Sequence, residues 1–330
     1  MEIKSIAFTE IGKAEIVSKT VADTPAAGQV LVRTEYSAVS AGTERANLMG
    51  MPNTPQRFPC WLGYSSVGRV AAVGEGVKRT KVGERVLVYH GIHAAYNLVR
   101  EDQITPVKDE NIDPLEASFV IIASMGLGGV RRLEVELGES AMVFGLGLLG
   151  MFSIECLSLS GAYPLIAADY DENRRKKALE LGADYALSPA EPDFIEKVKA
   201  LTGGRGVSAT VEVTGASAAM IQALDCAARM GRISLLGCSR VSTAEVDYYS
   251  QVHKPGIQLI GAHNMVRPKV ESYPHHWTHQ DDCTALLSLL GAGKLKVREI
   301  ISEVHGIEDA PEVYSRLSQG KLPLGVAFRW

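Results

Sequence analysis

Ser140-Ala141-Met142-Val143-Phe144-Gly145-Leu146-Gly147-Leu148-Leu149-Gly150 decides how this chain is read. Ser140 to Phe144 is an apolar run of strand length. Gly145, Gly147 and Gly150 then spell G-x-G-x-x-G, and Met151 to Leu159 continues with helical character to Gly161. That order predicts a strand, a tight turn and a helix whose first free N–H groups, on Leu148, Leu149 and Gly150, can hold a pyrophosphate. Gly145 allows the turn, Gly147 lets a phosphate approach the backbone, and Gly150 lets helix and strand pack closely. A second apolar run, Leu165 to Ala168, ends in Asp169, 19 positions past Gly150, where an acid is placed to bind the adenosine ribose. The glycines alone would also fit a turn in a buried α/β core. The full order of strand, glycines, helix, strand and acid favours a nucleotide.

The rest of the chain is consistent with a globular protein. Its 330 residues suffice for two domains, and 46% hydrophobic with 22% charged residues is ordinary. A net charge of -4 predicts no nucleic-acid and no acidic-membrane partner. The cysteines (Cys60, Cys156, Cys226, Cys238, Cys283) are scattered and odd in number, with no C-x-x-C, which points to a reducing cytoplasm. Met1-Glu2-Ile3-Lys4-Ser5 does not read as a signal peptide. The longest apolar run, Ala117 to Val130, is too short for a bilayer and reads as a core segment.

Residues 1 to about 100 read as strands such as Lys4–Thr9, Gln29–Tyr36, Gly68–Val73 and Arg85–Tyr89, a small barrel-like β region. Beyond about residue 120 strands and helices alternate. Strands are expected near 140–144, 164–168, 184–187, 208–213, 232–236 and 257–262, with helices such as Glu172–Leu181 and Ser217–Met230 between them. Six strands with helical crossovers predict a doubly wound parallel sheet of the α/β class. One more helix, Asp281–Leu290, precedes the strand-like Leu324–Trp330.

Several short motifs accompany this order: Ala41-Gly42-Thr43-Glu44, Gly63-Tyr64-Ser65-Ser66-Val67-Gly68-Arg69-Val70, Val82-Gly83-Glu84-Arg85-Val86, Glu212-Val213-Thr214-Gly215 and Gly231 to Gly237. With the glycines at 145–150 they resemble the medium-chain dehydrogenase/reductase superfamily, the zinc alcohol dehydrogenase type, over nearly the whole chain. The nearest pattern is a zinc-less branch with Ser-x-Gly-Thr-Glu and Gly-Tyr-Ser signatures, which includes bacteriochlorophyllide-type and sugar-linked dehydrogenases. The resemblance implies a GroES-like β-rich catalytic domain from residues 1–120 and 265–330, around a Rossmann dinucleotide-binding domain at 121–264. It also implies a homodimer through edge pairing of the nucleotide sheets, and adds Thr214, Gly215 and Gly237 to the cofactor-binding residues.

Departures from the zinc-dependent pattern are chemical. Ala41 stands where the first ligand Cys would be, and Tyr64 and Ser65 replace the His-Glu of G-H-E-x-x-G. The third ligand would fall near Ile121 to Met125, which holds no strong ligand. The four-cysteine structural lobe is also missing between Val88 and Tyr96. No metal is expected in either family site.

Without a metal, side chains must quiet the charge that develops on the substrate oxygen. Thr43 stands at the family's proton-relay hydroxyl, and Tyr64 takes the place of a ligand. His90 and His93 lie in the shortened segment and can relay a proton. Each has a bland alternative: Thr43 as the cap of a helix at Glu44–Met49, Tyr64 as a packed aromatic, the two histidines as structural groups. Glu44 is expected in an ion pair with an arginine such as Arg45 or Arg69.

Asp169 favours NAD over NADP, since a carboxylate there repels a 2′-phosphate. Arg174 and Arg175 are placed to serve a phosphate, or belong to a solvated face with Lys176 and Lys177. His275, His276 and His279, with Asp281 and Asp282, fit no common zinc spacing. They read better as a loop holding a polyhydroxylated substrate, with Thr278 or Asp281 capping the next helix. The expected function is a zinc-independent, NAD-dependent dehydrogenase interconverting a secondary alcohol and a ketone on a small-molecule substrate. A zinc-free enone or quinone reductase and a non-catalytic NAD(H)-binding protein are the alternatives.

Overall fold

Glu10-Ile11-Gly12-Lys13 closes a two-residue hairpin between β1 (Glu2–Glu10) and β2 (Lys13–Thr20). Gly12 supplies the left-handed backbone, φ 77°, that such a tight turn demands. The computed structural model describes residues 1–330 and divides into two units, Met1–Ile122 with Cys283–Trp330, and Ala123–Asp282.

In the first unit β3 (Gln29–Ala38) is central. It is followed by α1 (Ala41–Leu48), β4 (Ser65–Val73), β5 (Arg85–Tyr89), β6 (Tyr96–Arg100), β7 (Ile104–Pro106) and α2 (Pro114–Ala117). Val30, Val32, Val70, Val86, Val88, Val99 and Ile104 form one apolar core, the β-branched filling expected of packed strands. The apolar run at 117–130 is buried as α2 and α3 (Val120–Arg131). No helix is long and apolar enough to cross a membrane.

The second unit carries β8 (Ala141–Phe144), α4 (Leu148–Leu159), β9 (Leu165–Ala168), α5 (Glu172–Glu180), β10 (Tyr185–Leu187), α6 (Phe194–Leu201), β11 (Val207–Glu212), α7 (Ser217–Cys226), β12 (Ala227–Leu235) and β13 (Gln258–Gly261). These strands pair in parallel in the order β10-β9-β8-β11-β12-β13. That is the doubly wound nucleotide-binding order, whose strand reversal lies between β8 and β11. β8 and β9 are buried along their whole length, as strands covered on both faces must be.

Two sequence expectations move. The helix expected at Ser217–Met230 ends at Cys226, because Ala227 already pairs with Val207. Residues 228–231 then bulge out of register, with Met230 at φ 61° bonded to the carbonyl of Pro255. Sheet pairing overrides the helical preference of this Ala-rich stretch. Residues 265–282, expected with the first unit, group with the second. Arg267 and His279 bond to Ser124 of α3, and Trp277 lies under Arg131 of the same helix.

The chain ends with α8 (His279–Gly291), β14 (Ile301–Gly306), α9 (Ala310–Ser318) and β15 (Gly325–Arg329). Thr278 caps α8, accepting the Asp281 N–H at 3.2 Å. β15 pairs with β3, and Val313, Tyr314, Val326 and Phe328 share a core with Ile6, Phe8 and Leu48. The first unit is thus built from both chain ends.

Candidate active site

The glycine loop of the second unit behaves as its spacing predicts. Gly145 turns at φ 89°, and a Cβ there would press on Thr214 Cγ2 at 2.6 Å. A Cβ on Gly150 would collide with the carbonyl oxygen of Gly145, so helix α4 can lie on its strand only with glycine there. Gly147, the N-cap of α4, is different: a Cβ on it would meet no protein atom. The space beside it is open, next to the first free N–H groups of the helix on Leu148, Leu149 and Gly150, where a phosphate could approach. Gly147→Ala is expected to melt like the parent while losing NADH affinity about tenfold, and Gly150→Ala to lose about 1–3 kcal/mol of stability as well. Paired thermal melts and NADH fluorescence titrations separate the two roles.

Asp169, at the end of β9, accepts the Leu146 N–H at 2.7 Å and the Asp171 N–H at 2.8 Å. It braces the loop and retains carboxylate lone pairs for ribose hydroxyls. Arg174 sits in the first turn of α5, which Asp171 caps, and Arg175 donates to the carbonyls of Asp169 and Tyr170. Thr214 and Gly215 follow β11 and are held by Glu212, which accepts both N–H groups and the Thr214 hydroxyl. A Cβ on Gly237 would run into this loop. Glu212 is nearly buried, and burial raises its pKa while the three donors oppose the rise. Sequence reasoning quoted Glu212 only as the first residue of a motif and gave its carboxylate no role.

The first unit holds the proposed acid–base residues. Helix α1 starts at Ala41 with Ser40 at its N-cap, so Thr43 is inside the helix and not its cap. Ser40 makes no side-chain cap bond, because its hydroxyl lies 2.6 Å from the Tyr64 hydroxyl. Thr43, exposed on the first turn of α1, also hydrogen-bonds Tyr64. The Tyr64 ring stands edge-on to Tyr89, centroids 6.3 Å apart. Burial pushes the Tyr64 phenol well above its ordinary pKa, the Ser40 and Thr43 donors oppose that rise, and the Glu44 charge adds to it. Tyr64 is accordingly held in its protonated form.

Glu44 pairs with neither Arg45 nor Arg69. It is wholly buried and accepts the Tyr314 hydroxyl at 2.6 Å and the Ser40 N–H at 2.8 Å, with His93 Nε2 at 3.2 Å. Arg69 instead meets Glu35 and Glu110, and Arg45 donates to the carbonyl of Ser318. His93 is buried, with Nδ1 2.7 Å from the Ser37 hydroxyl, which also accepts Trp330 Nε1–H. Both its ring nitrogens are engaged inside the core, so it serves the packing of Glu44 and not a relay to solvent. His90 is exposed, at φ 61°, with its ring on Tyr89 at 3.7 Å, and partial cover lowers its pKa.

No group of three His, Cys, Asp or Glu side chains is placed to hold an ion, and this includes His275, His276 and His279. His279 faces Ser124, and His276 stacks on Tyr273.

Comparison with known proteins agrees with this architecture. The alcohol dehydrogenase GroES-like domain family matches residues 26–129, and the zinc-binding dehydrogenase family matches residues 149–274. An L-threonine 3-dehydrogenase of Pyrococcus furiosus is 28% identical over 297 residues, 80% of each chain. The fold matches the alcohol dehydrogenase TADH of Thermus sp. ATN1, with a TM-score of 0.85, 20% identity and 99% of both chains covered. It also matches an alcohol dehydrogenase of Escherichia coli CFT073 complexed with NADH, with a TM-score of 0.84, 17% identity, and 100% of this chain and 99% of that one covered. Strand order, glycine loop, a β-rich unit made from both chain ends and the two domain families together place the chain in the medium-chain dehydrogenase/reductase superfamily.

Proposed function

We propose that this protein is a zinc-independent, NAD-dependent dehydrogenase that interconverts a secondary alcohol and a ketone on a hydroxylated small molecule. The observation that carries the reading is Tyr64: where the superfamily's zinc ligand stands, this chain has a phenol held protonated and hydrogen-bonded to Ser40 and Thr43. A bound nicotinamide supplies or takes the hydride at the carbon. In reduction, Tyr64 gives its proton to the carbonyl oxygen, and Ser40 and exposed Thr43 support and restore it. Oxidation runs the same proton path backwards.

Ala41, Tyr64 and Ser65, which stand where the resemblance places the ligand Cys and His-Glu, support zinc independence. The Asp169 carboxylate supports NAD over NADP. β13 pairs on one side only, which supports a homodimer built through that edge, and five unpaired thiols support a cytoplasmic home.

The test is a turnover screen of polyols, sugar phosphates, nucleotide sugars and quinones with NAD(H), with metal analysis of the same protein. Ketone formation by zinc-free protein that binds NADH more tightly than NADPH is the expected result. Stoichiometric zinc at Tyr64, saturation of a conjugated bond as the only reaction, or no turnover at all each overturns it.

A further inference from the structure

A small depression open to solvent lies where β13 ends, and six of its lining residues are Arg131, Arg132, Arg267, His276, Trp277 and Asp282. In a doubly wound sheet, ligands bind outside the carboxyl ends of the strands. The chemistry of this lining is unusual for a surface hollow. Asp282 is 1% exposed and is shared by two guanidinium groups, Arg131 Nε at 2.6 Å and Arg267 Nη1 at 2.9 Å. Both arginines are fixed. Arg131 lies over the Trp277 ring at 4.0 Å, and Arg267 donates to the Ser124 carbonyl across Gly128, where a Cβ would collide with its Nη2.

Arg132 has no carboxylate partner. Its Nη1 reaches His276 Nε2 at 3.4 Å, and its Nε is buried without an acceptor. A guanidinium can only donate, so His276 Nε2 is the acceptor in this contact, and its Nδ1 lies 3.3 Å from the Pro274 carbonyl. Three guanidinium groups therefore face one carboxylate, and the lining carries a net charge of two positive. A buried donor with no acceptor is costly to leave unmade, and rigid, planar guanidinium forks match oxygens on phosphorus.

We propose that this hollow binds a phosphate monoester, with Arg132 as its principal ligand and Arg131 and Arg267 as the flanking charges. A phosphate dianion balances the lining charge, whereas a single carboxylate leaves half of it. The site stands without the dehydrogenase reading. If that reading also holds, the phosphate is a substituent of the substrate or a separate effector.

The experiment titrates the full chain, free of nicotinamide, with inorganic phosphate at constant ionic strength, by calorimetry and ³¹P line broadening. Saturable binding is expected, weakened about tenfold or more in Arg132→Gln and less in Arg132→Lys, which keeps the charge but loses the fork. Lys81→Gln, a change at an exposed lysine far from both the hollow and the glycine loop in sequence, should bind like the parent. Absence of saturable binding overturns the proposal, as does parental affinity in both Arg132 variants; Arg132→Lys decides alone if Arg132→Gln does not fold. In turnover assays, phosphate that competes with a phosphorylated polyol identifies the substrate as the source. Phosphate that binds without changing KM identifies an effector; either result supports the site, and neither depends on which cofactor is used.

Discussion

Replacing Glu44 by alanine is expected to cost about 3–5 kcal/mol of stability. The carboxylate collects three donors in a dry interior: the Tyr314 hydroxyl, the Ser40 N–H and the His93 ring. The other ring nitrogen of His93, Nδ1, lies 2.7 Å from the Ser37 hydroxyl, which also accepts from Trp330. Alanine leaves all three donors buried without an acceptor, each worth about 1–3 kcal/mol and not fully additive. It also opens a void against Tyr314, one of the largest fully buried side chains. Chemical denaturation of parent and variant measures the loss. A change below about 1 kcal/mol would mean that water replaces the carboxylate, and would remove Glu44 as the centre of this core.

The same network shows why some of the molecule was readable from sequence and some was not. The glycine loop, Asp169 and the strand order follow from spacings within about thirty residues, where each glycine has a local geometric task. Glu44 could not be placed this way. Its partners lie 49 and 270 positions along the chain, on His93 and Tyr314, so the nearby arginines were the natural but incorrect candidates. His93 looked like a relay because its burial is created by Phe328 and Tyr314 from the far end of the chain. Ser40 belongs to the Ser-x-Gly-Thr-Glu signature, yet the hydroxyl read as the cap was that of Thr43. Only the structure shows that the true N-cap side chain turns away to Tyr64. Asp282, at the unit boundary, likewise meets its partner Arg131 across 151 positions of the chain. What a sequence hides here is the long-range pairing of polar groups.

Tyr64→Phe is expected to lower turnover about 100- to 10,000-fold while NADH affinity stays at the parental value. Phenylalanine keeps the ring and its edge-on packing against Tyr89, so the change removes one hydroxyl and little else. The pH profile adds a second readout. Burial holds the Tyr64 pKa above its ordinary value near 10, so the protonated donor persists across the neutral range and into alkali. Ketone reduction by the parent should therefore show no loss from this group as pH rises toward about 10, the unperturbed tyrosine value. Alcohol oxidation should gain with rising pH, because the proton leaving the substrate must pass through Ser40 and Thr43 to solvent. Thr43→Val should depress oxidation and leave folding intact, since its side chain is exposed. Parental kcat in Tyr64→Phe would take the phenol out of the mechanism; the chain would then be left with a nucleotide cradle and no proton donor of its own at the former ligand position.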